Sequence, residues 1–175
     1  MPRKFRTEDI ELWKTDVRVG EEILLSGTLY TARDAAHKRI LAAIREGKPL
    51  PFPLKNAVIY YAGPTPPTNG LPAGSFGPTT SSRMDPYLPL LTEMGLAATV
   101  GKGDRSDEVY CALSKSNAIY LAAVGGAGAL YARCVKSISV IAFDDLGCES
   151  VKQLEIEDFP VYVAIDANGN SIFKR

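Results

Sequence analysis

The chain is poor in the residues from which self-contained metal and nucleophile sites are built. It has a single histidine, His37, and three cysteines, Cys111, Cys134 and Cys148, with no Cys-x-x-Cys pair among them. Zinc sites draw on Cys and His ligands at short spacings, and nothing here supplies such a set. Three thiolates suffice in principle for an iron–sulfur cluster, but Cys111 and Cys134 lie in apolar-rich stretches. The three are therefore read as buried thiols acting as small hydrophobes. A surplus of positive charge is also missing: Lys+Arg and Asp+Glu number 20 each, for a net charge of zero. Nucleic acid and anionic membrane surfaces both require such a surplus, so neither is expected as a partner. No apolar run approaches the roughly 20 residues of a membrane span, and the opening MPRKFRTEDIELW has no apolar signal core. A cytoplasmic protein is expected. At 175 residues the chain is read as one domain, residues 1–175, with a sizeable core.

What is present is β-rich at both ends with β-α alternation between. Residues 8–32 alternate as short β segments around a turn at Val19-Gly20-Glu21. RDAAHKRILAAIREG carries apolar residues at helical spacing, with Gly47 as a stop. NAVIYYAG, 56–63, has the compact apolar look of a buried strand. Five prolines make 64–78 an irregular loop. A helix is predicted over 81–94, then a strand in LAATVGKG, a helix in DEVYCALSKS, a strand in NAIYLAAVGG and a short helix in AGALYARCV. SISVIAFDD is a further strand, and VYVAIDANGNSIFKR a hairpin around Asn168-Gly169. This order predicts an α/β domain with a mixed central sheet flanked by helices. VGGAGAL, 124–130, lacks the full G-x-G-x-x-G spacing, so its glycines are read as allowing close helix–strand packing.

GPTTSSRMD, 77–85, sets four hydroxyl residues ahead of an arginine. Loop hydroxyls and helix N-caps produce such runs, and so does an anion site built of hydroxyls and a guanidinium. TLYTARDAAH, this loop and ATVGKGD each follow a predicted strand, and open α/β sheets bind ligands beyond the carboxyl ends of strands. Arg33, Arg83 and Lys102 thus fall on one candidate edge. Bidentate guanidinium suits a carboxylate plane and lysine adds a point charge, which points to a small dicarboxylate.

TARDAAHKRI, IYYAGP, GPTTSSRMDPY, GKGDRS and EIEDFPVYVAIDANGN together resemble the C-terminal domain, or separate β subunit, of the class I iron–sulfur fumarate hydratases. The wider family includes the L-tartrate dehydratases. The resemblance runs from about residue 8 to 172 and implies a swivelling β/β/α domain. It places carboxylate binding on Arg33, Arg83 and Lys102, and proton transfer on Thr79 with Thr80 beside it. Asp34 and Asp85 are implied to orient the neighbouring arginines, and His37 to be a supporting group behind the substrate. The family's [4Fe–4S] cluster is ligated by an α subunit or domain, with no metal ligand on this chain. The implied assembly is an αβ unit that pairs further, acting on fumarate and malate. The alternatives are an L-tartrate or related hydroxy-acid hydro-lyase subunit, and a carboxylate-binding module without chemistry.

Overall fold

The computed structural model describes residues 1–67, 70–124 and 126–174. In chain order the elements are β1 (Arg3–Arg6), α1 (Ile10–Trp13), β2 (Glu22–Thr31), α2 (Asp34–Arg45), β3 (Val58–Tyr60), α3 (Leu88–Glu93), β4 (Ala98–Gly101), α4 (Asp107–Ser116), β5 (Ile119–Ala122), α5 (Gly128–Arg133), β6 (Val135–Ala142) and β7 (Val151–Ile165). Strands β1 to β5 lie side by side and parallel. Strand β7 runs antiparallel to them, pairing with β2 on one side and with β6 and then β5 on the other. By joining β5 back to β2, it closes β2-β3-β4-β5-β7 into a barrel, with β1 and β6 appended. The result is an α/β domain whose mixed sheet curls into that barrel.

Closure explains why the short middle strands read as continuous apolar runs. Successive side chains point to opposite faces, and here both faces are covered. Val58, Tyr60, Val100, Ile119 and Leu121 pack inside with Leu29, Phe159 and Val163. Their neighbours Ile59, Tyr61 and Tyr120 pack outward against α2, α3 and α4 through Ile40, Leu91 and Leu113. Pro160 would disrupt an ordinary central strand. It sits in the gap where β7 has left β6, after Ile156, and not yet met β5, at Tyr162.

Three sequence expectations change. Residues 7–13 are helical turns, not strand. Ile10, Trp13 and Val17 are buried at helical spacing while Leu12 is 82% exposed, so the apparent alternation was accidental. The helix over 81–94 is broken into a 3-10 turn, Ser81–Met84, and α3. Pro86 and Pro89 withdraw two backbone donors from a continuous helix. The cysteines are not buried: Cys111 and Cys148 are exposed and Cys134 is half-buried. The apolar stripe of α4 is Val109, Tyr110 and Leu113, and Cys111 lies off it. The closing turn is present but short. Asp166 accepts from Asn168 and Asn170 N–H, and one bridge joins Ile165 to Ser171.

Candidate active site

Because β2 to β5 are parallel, their carboxyl ends share one edge, and the segments leaving them meet there. Arg33 follows β2 directly and occupies the N-cap position of α2. The loop leaving β3 returns so that Thr79 N–H donates to Tyr61 O (2.7 Å). Its next residues lie along the end of β4: Thr80 forms a parallel bridge with Lys102, and Ser81 N–H donates to Lys102 O (2.9 Å). Gly101 permits this approach. A Cβ there would collide with the Ser81 hydroxyl and come 2.9 Å from Tyr61 Cδ2.

The hydroxyl run divides by role. Ser81 is buried against the Tyr120 hydroxyl (2.8 Å), and burial pushes the Tyr120 phenol above its ordinary pKa. Thr79 is half-buried, whereas Thr80, Ser82, Arg83 and Lys102 are exposed. Arg83 Nη2 donates to Asp34 Oδ2 (3.2 Å) and reaches Thr79 Oγ1 at 3.5 Å. Thr79, Arg83 and Asp34 are therefore in contact, with Lys102 bridged to the residue beside Thr79.

Arg33 is held differently. Its guanidinium meets Glu149 only distantly (Nε–Oε1 3.9 Å), and Nε has no hydrogen-bond partner among the described residues. Glu149 carries no sequence signal, because its segment touches Arg33 only through the folded chain. Asp34 accordingly pairs with Arg83 rather than with its neighbour Arg33. Asp85 does not touch Arg83 in any hydrogen bond or ion pair of the described residues; its oxygens accept from Arg105 Nε (2.6 Å) and Ser106 N–H (2.7 Å). Arg105, within the quoted GKGDRS, was not singled out from the sequence. Its side chain is fully buried, and it also donates to Thr99 Oγ1 (3.1 Å) and Tyr61 Oη (3.2 Å).

His37 is fully buried between the rings of Tyr61 and Tyr87. Its Nδ1 faces Arg33 O at 2.8 Å, so the neutral ring donates there, while Nε2 has no partner among the described residues. Burial pushes its pKa down to about 4. A buried neutral ring of this kind fixes the backbone that carries Arg33.

The described residues do not gather an iron–sulfur ligand set. The three cysteines sit on separate segments, and among the described residues no cluster of three or more His, Cys, Asp or Glu is placed to hold a metal. Nor is any helix among them long and apolar enough to cross a membrane.

A barrel-centred α/β domain whose parallel strand ends present two arginines, a lysine and a threonine hydroxyl is equipped for a small anionic ligand. Residues 4–175, nearly the whole chain, match the Fumarase C-terminus family, and the chain belongs to that family. It is 42% identical over 159 residues to fumarate hydratase 2 of Leishmania major, covering 90% of this chain and 28% of that protein. It is 39% identical to the anaerobic class I fumarate hydratase of Escherichia coli, covering 90% of this chain and 29% of that enzyme. The chain thus spans less than a third of these fumarate hydratase relatives. The putative L(+)-tartrate dehydratase subunit beta of Methanocaldococcus jannaschii is 39% identical, and there the match covers 94% of this chain and 89% of the relative.

Proposed function

We propose that this chain is the β subunit of a two-subunit fumarate hydratase, interconverting fumarate and (S)-malate at a site completed by an α subunit. The observation that carries the reading is the convergence at one strand edge: Arg83 contacts both Asp34 and Thr79 while Thr80 bridges to Lys102. Arg33, Arg83 and Lys102 bind and orient the substrate carboxylates. Their charge also favours the extra negative charge that builds on a carboxylate as the α-proton leaves. Thr79, with Thr80 beside it, moves that proton. Asp34 holds the Arg83 guanidinium, and His37 holds the Arg33 backbone. The [4Fe–4S] group, for which the described residues gather no ligand set, belongs to the α subunit in this reading. The αβ unit pairs further, in the cytoplasm.

One observation favours a second reading, a subunit of an L-tartrate or related hydroxy-acid dehydratase. One relative whose length this chain nearly matches is named for tartrate, whereas the fumarate hydratases compared above are more than three times as long as the matched part. The deciding experiment is an anaerobic assay with fumarate, malate and L-tartrate, using this chain alone and then with an iron–sulfur-loaded α subunit. Turnover of fumarate and malate only in the mixture supports the proposal. Preference for L-tartrate selects the second reading. Carboxylate binding by a chain that associates with no α subunit would leave a binding module without chemistry.

A further inference from the structure

The Asp85–Arg105 ion pair is buried beside the strand edge: Arg105 is 0% and Asp85 8% exposed. Burying two charges costs desolvation that their attraction does not reliably recover, so stability alone is a weak account of such a pair. Its connections supply a better one. Arg105 Nε holds Asp85, at the end of the hydroxyl loop; Nη1 holds Thr99, in β4; Nη2 holds Tyr61, just beyond β3. The guanidinium carbon stands 4.7 Å from the ring centroid of Tyr120, in β5. Tyr120 in turn donates to Gly103 O and meets the Ser81 hydroxyl. One planar group thus touches the loop bearing Thr79 and Arg83, the residue that follows β3, and strands β4 and β5, of which β4 delivers Lys102.

We propose that Arg105 is a positioning residue, clamped by Asp85, that fixes the register of the Thr79–Arg83 loop against the Lys102 turn. The role rests on the function proposed above, since it serves the same site. A flexible ammonium cannot satisfy three acceptors held in one plane, so lysine keeps the charge and loses the geometry. The loop then detaches where it is tied, at Thr79 N–H to Tyr61 O and Ser81 N–H to Lys102 O.

The test compares wild type with Arg105→Lys and Tyr61→Phe in the assembled αβ complex, by hydrogen exchange and by steady-state kinetics per folded, iron-loaded complex. Tyr61→Phe removes one acceptor and keeps the ring, and it decides the matter should Arg105→Lys fail to fold. The expected result is exchange at least tenfold faster at residues 79–83, with β2 and β7 unchanged. With it comes a fall of tenfold or more in kcat/KM for Arg105→Lys, carried by a higher KM as well as a lower kcat. A smaller change in the same direction is expected for Tyr61→Phe. Exchange that rises uniformly across the chain, or turnover unchanged per folded complex, overturns the proposal and leaves the pair a structural contact. If wild type turns over neither fumarate nor tartrate, the functional reading fails, and the exchange comparison alone decides whether Arg105 sets the loop.

Discussion

Thr79 is a poor base at its intrinsic pKa, and the proton-carrying role proposed for it rests on its company. Arg83 lies 3.5 Å from its hydroxyl, and Lys102 is bridged to Thr80. Cations at this range favour the deprotonated oxygen. Thr79→Ala is expected to lower kcat by roughly 10²–10⁴-fold, the usual contribution of a positioned proton-transfer group. Assembly with the α subunit should persist, as read by gel filtration; near-wild-type kcat removes Thr79 from the chemistry. His37 makes a separate prediction about stability. Its pKa is about 4 when folded, because burial disfavours the charged ring, against 6.5 ordinarily. Between those values the unfolded chain binds the extra proton. The stabilisation is complete above pH 6.5 and is lost as pH falls toward 4, by roughly 3 kcal/mol in all. His37→Gln keeps a donor for Arg33 O but does not titrate. Urea unfolding between pH 7 and 4.5 should therefore show a shallower slope for the variant, and parallel slopes would rule the account out.

The end of β4 is where the hydroxyl loop depends on a missing side chain. Gly101 has an ordinary strand conformation, so backbone strain is not the reason for glycine there. Space is: an added methyl meets the Ser81 hydroxyl and lies 2.9 Å from Tyr61. Gly101→Ala is expected to cost about 1–3 kcal/mol, as overpacked sites do, and to lower kcat/KM by displacing the Thr80–Lys102 bridge. Ser81→Ala in the same chain should recover part of both losses, and a strictly additive double mutant counts against the contact.

Local pattern made most of these elements legible. DEVYCALSKS gives α4 because Ser106 caps its start and Asn117 takes the left-handed conformation at its end, and both are residue types suited to those places. The strand ends carrying Arg33 and Lys102 were legible for the same reason, through apolar runs closed by turn residues. What sequence pattern could not show were pairings across the fold. Asp34 with Arg83, and Asp85 with Arg105, are separated by 49 and 20 residues. The adjacency of Asp34 to Arg33 in the chain suggested a different partner. Gly128 is a similar case: its packing limit is the proline-rich loop, where an added Cβ would collide with the Ser75 hydroxyl and come 2.8 Å from Gly77 N, rather than a neighbouring strand.

Barrel closure governs how the whole chain holds that edge still. Strand β2 pairs with β7 along its length, while β1 and then β3 take its other side. Few of its backbone groups can open without breaking the ring, whereas the hydroxyl loop is tied by fewer backbone bonds, at Tyr61 and Lys102, and otherwise by side-chain contacts such as Asp85 with Arg105. Phe159 sits at the centre of the enclosed core, stacked on Tyr131 (4.4 Å) and edge-on to Tyr60 (5.4 Å). Removing its ring should cost about 3–5 kcal/mol, as Phe→Ala does in well-packed cores. If β2 and β7 exchange their amides only when the entire ring opens, Phe159→Ala must speed both strands by the same factor, and that factor must equal the loss measured by urea unfolding. The amides of residues 79–83 are expected to exchange through local opening of the loop and so to change little. Faster exchange confined to β7 would mean that the strand peels away without opening the ring, and the barrel would then not be the rigid base on which the site stands.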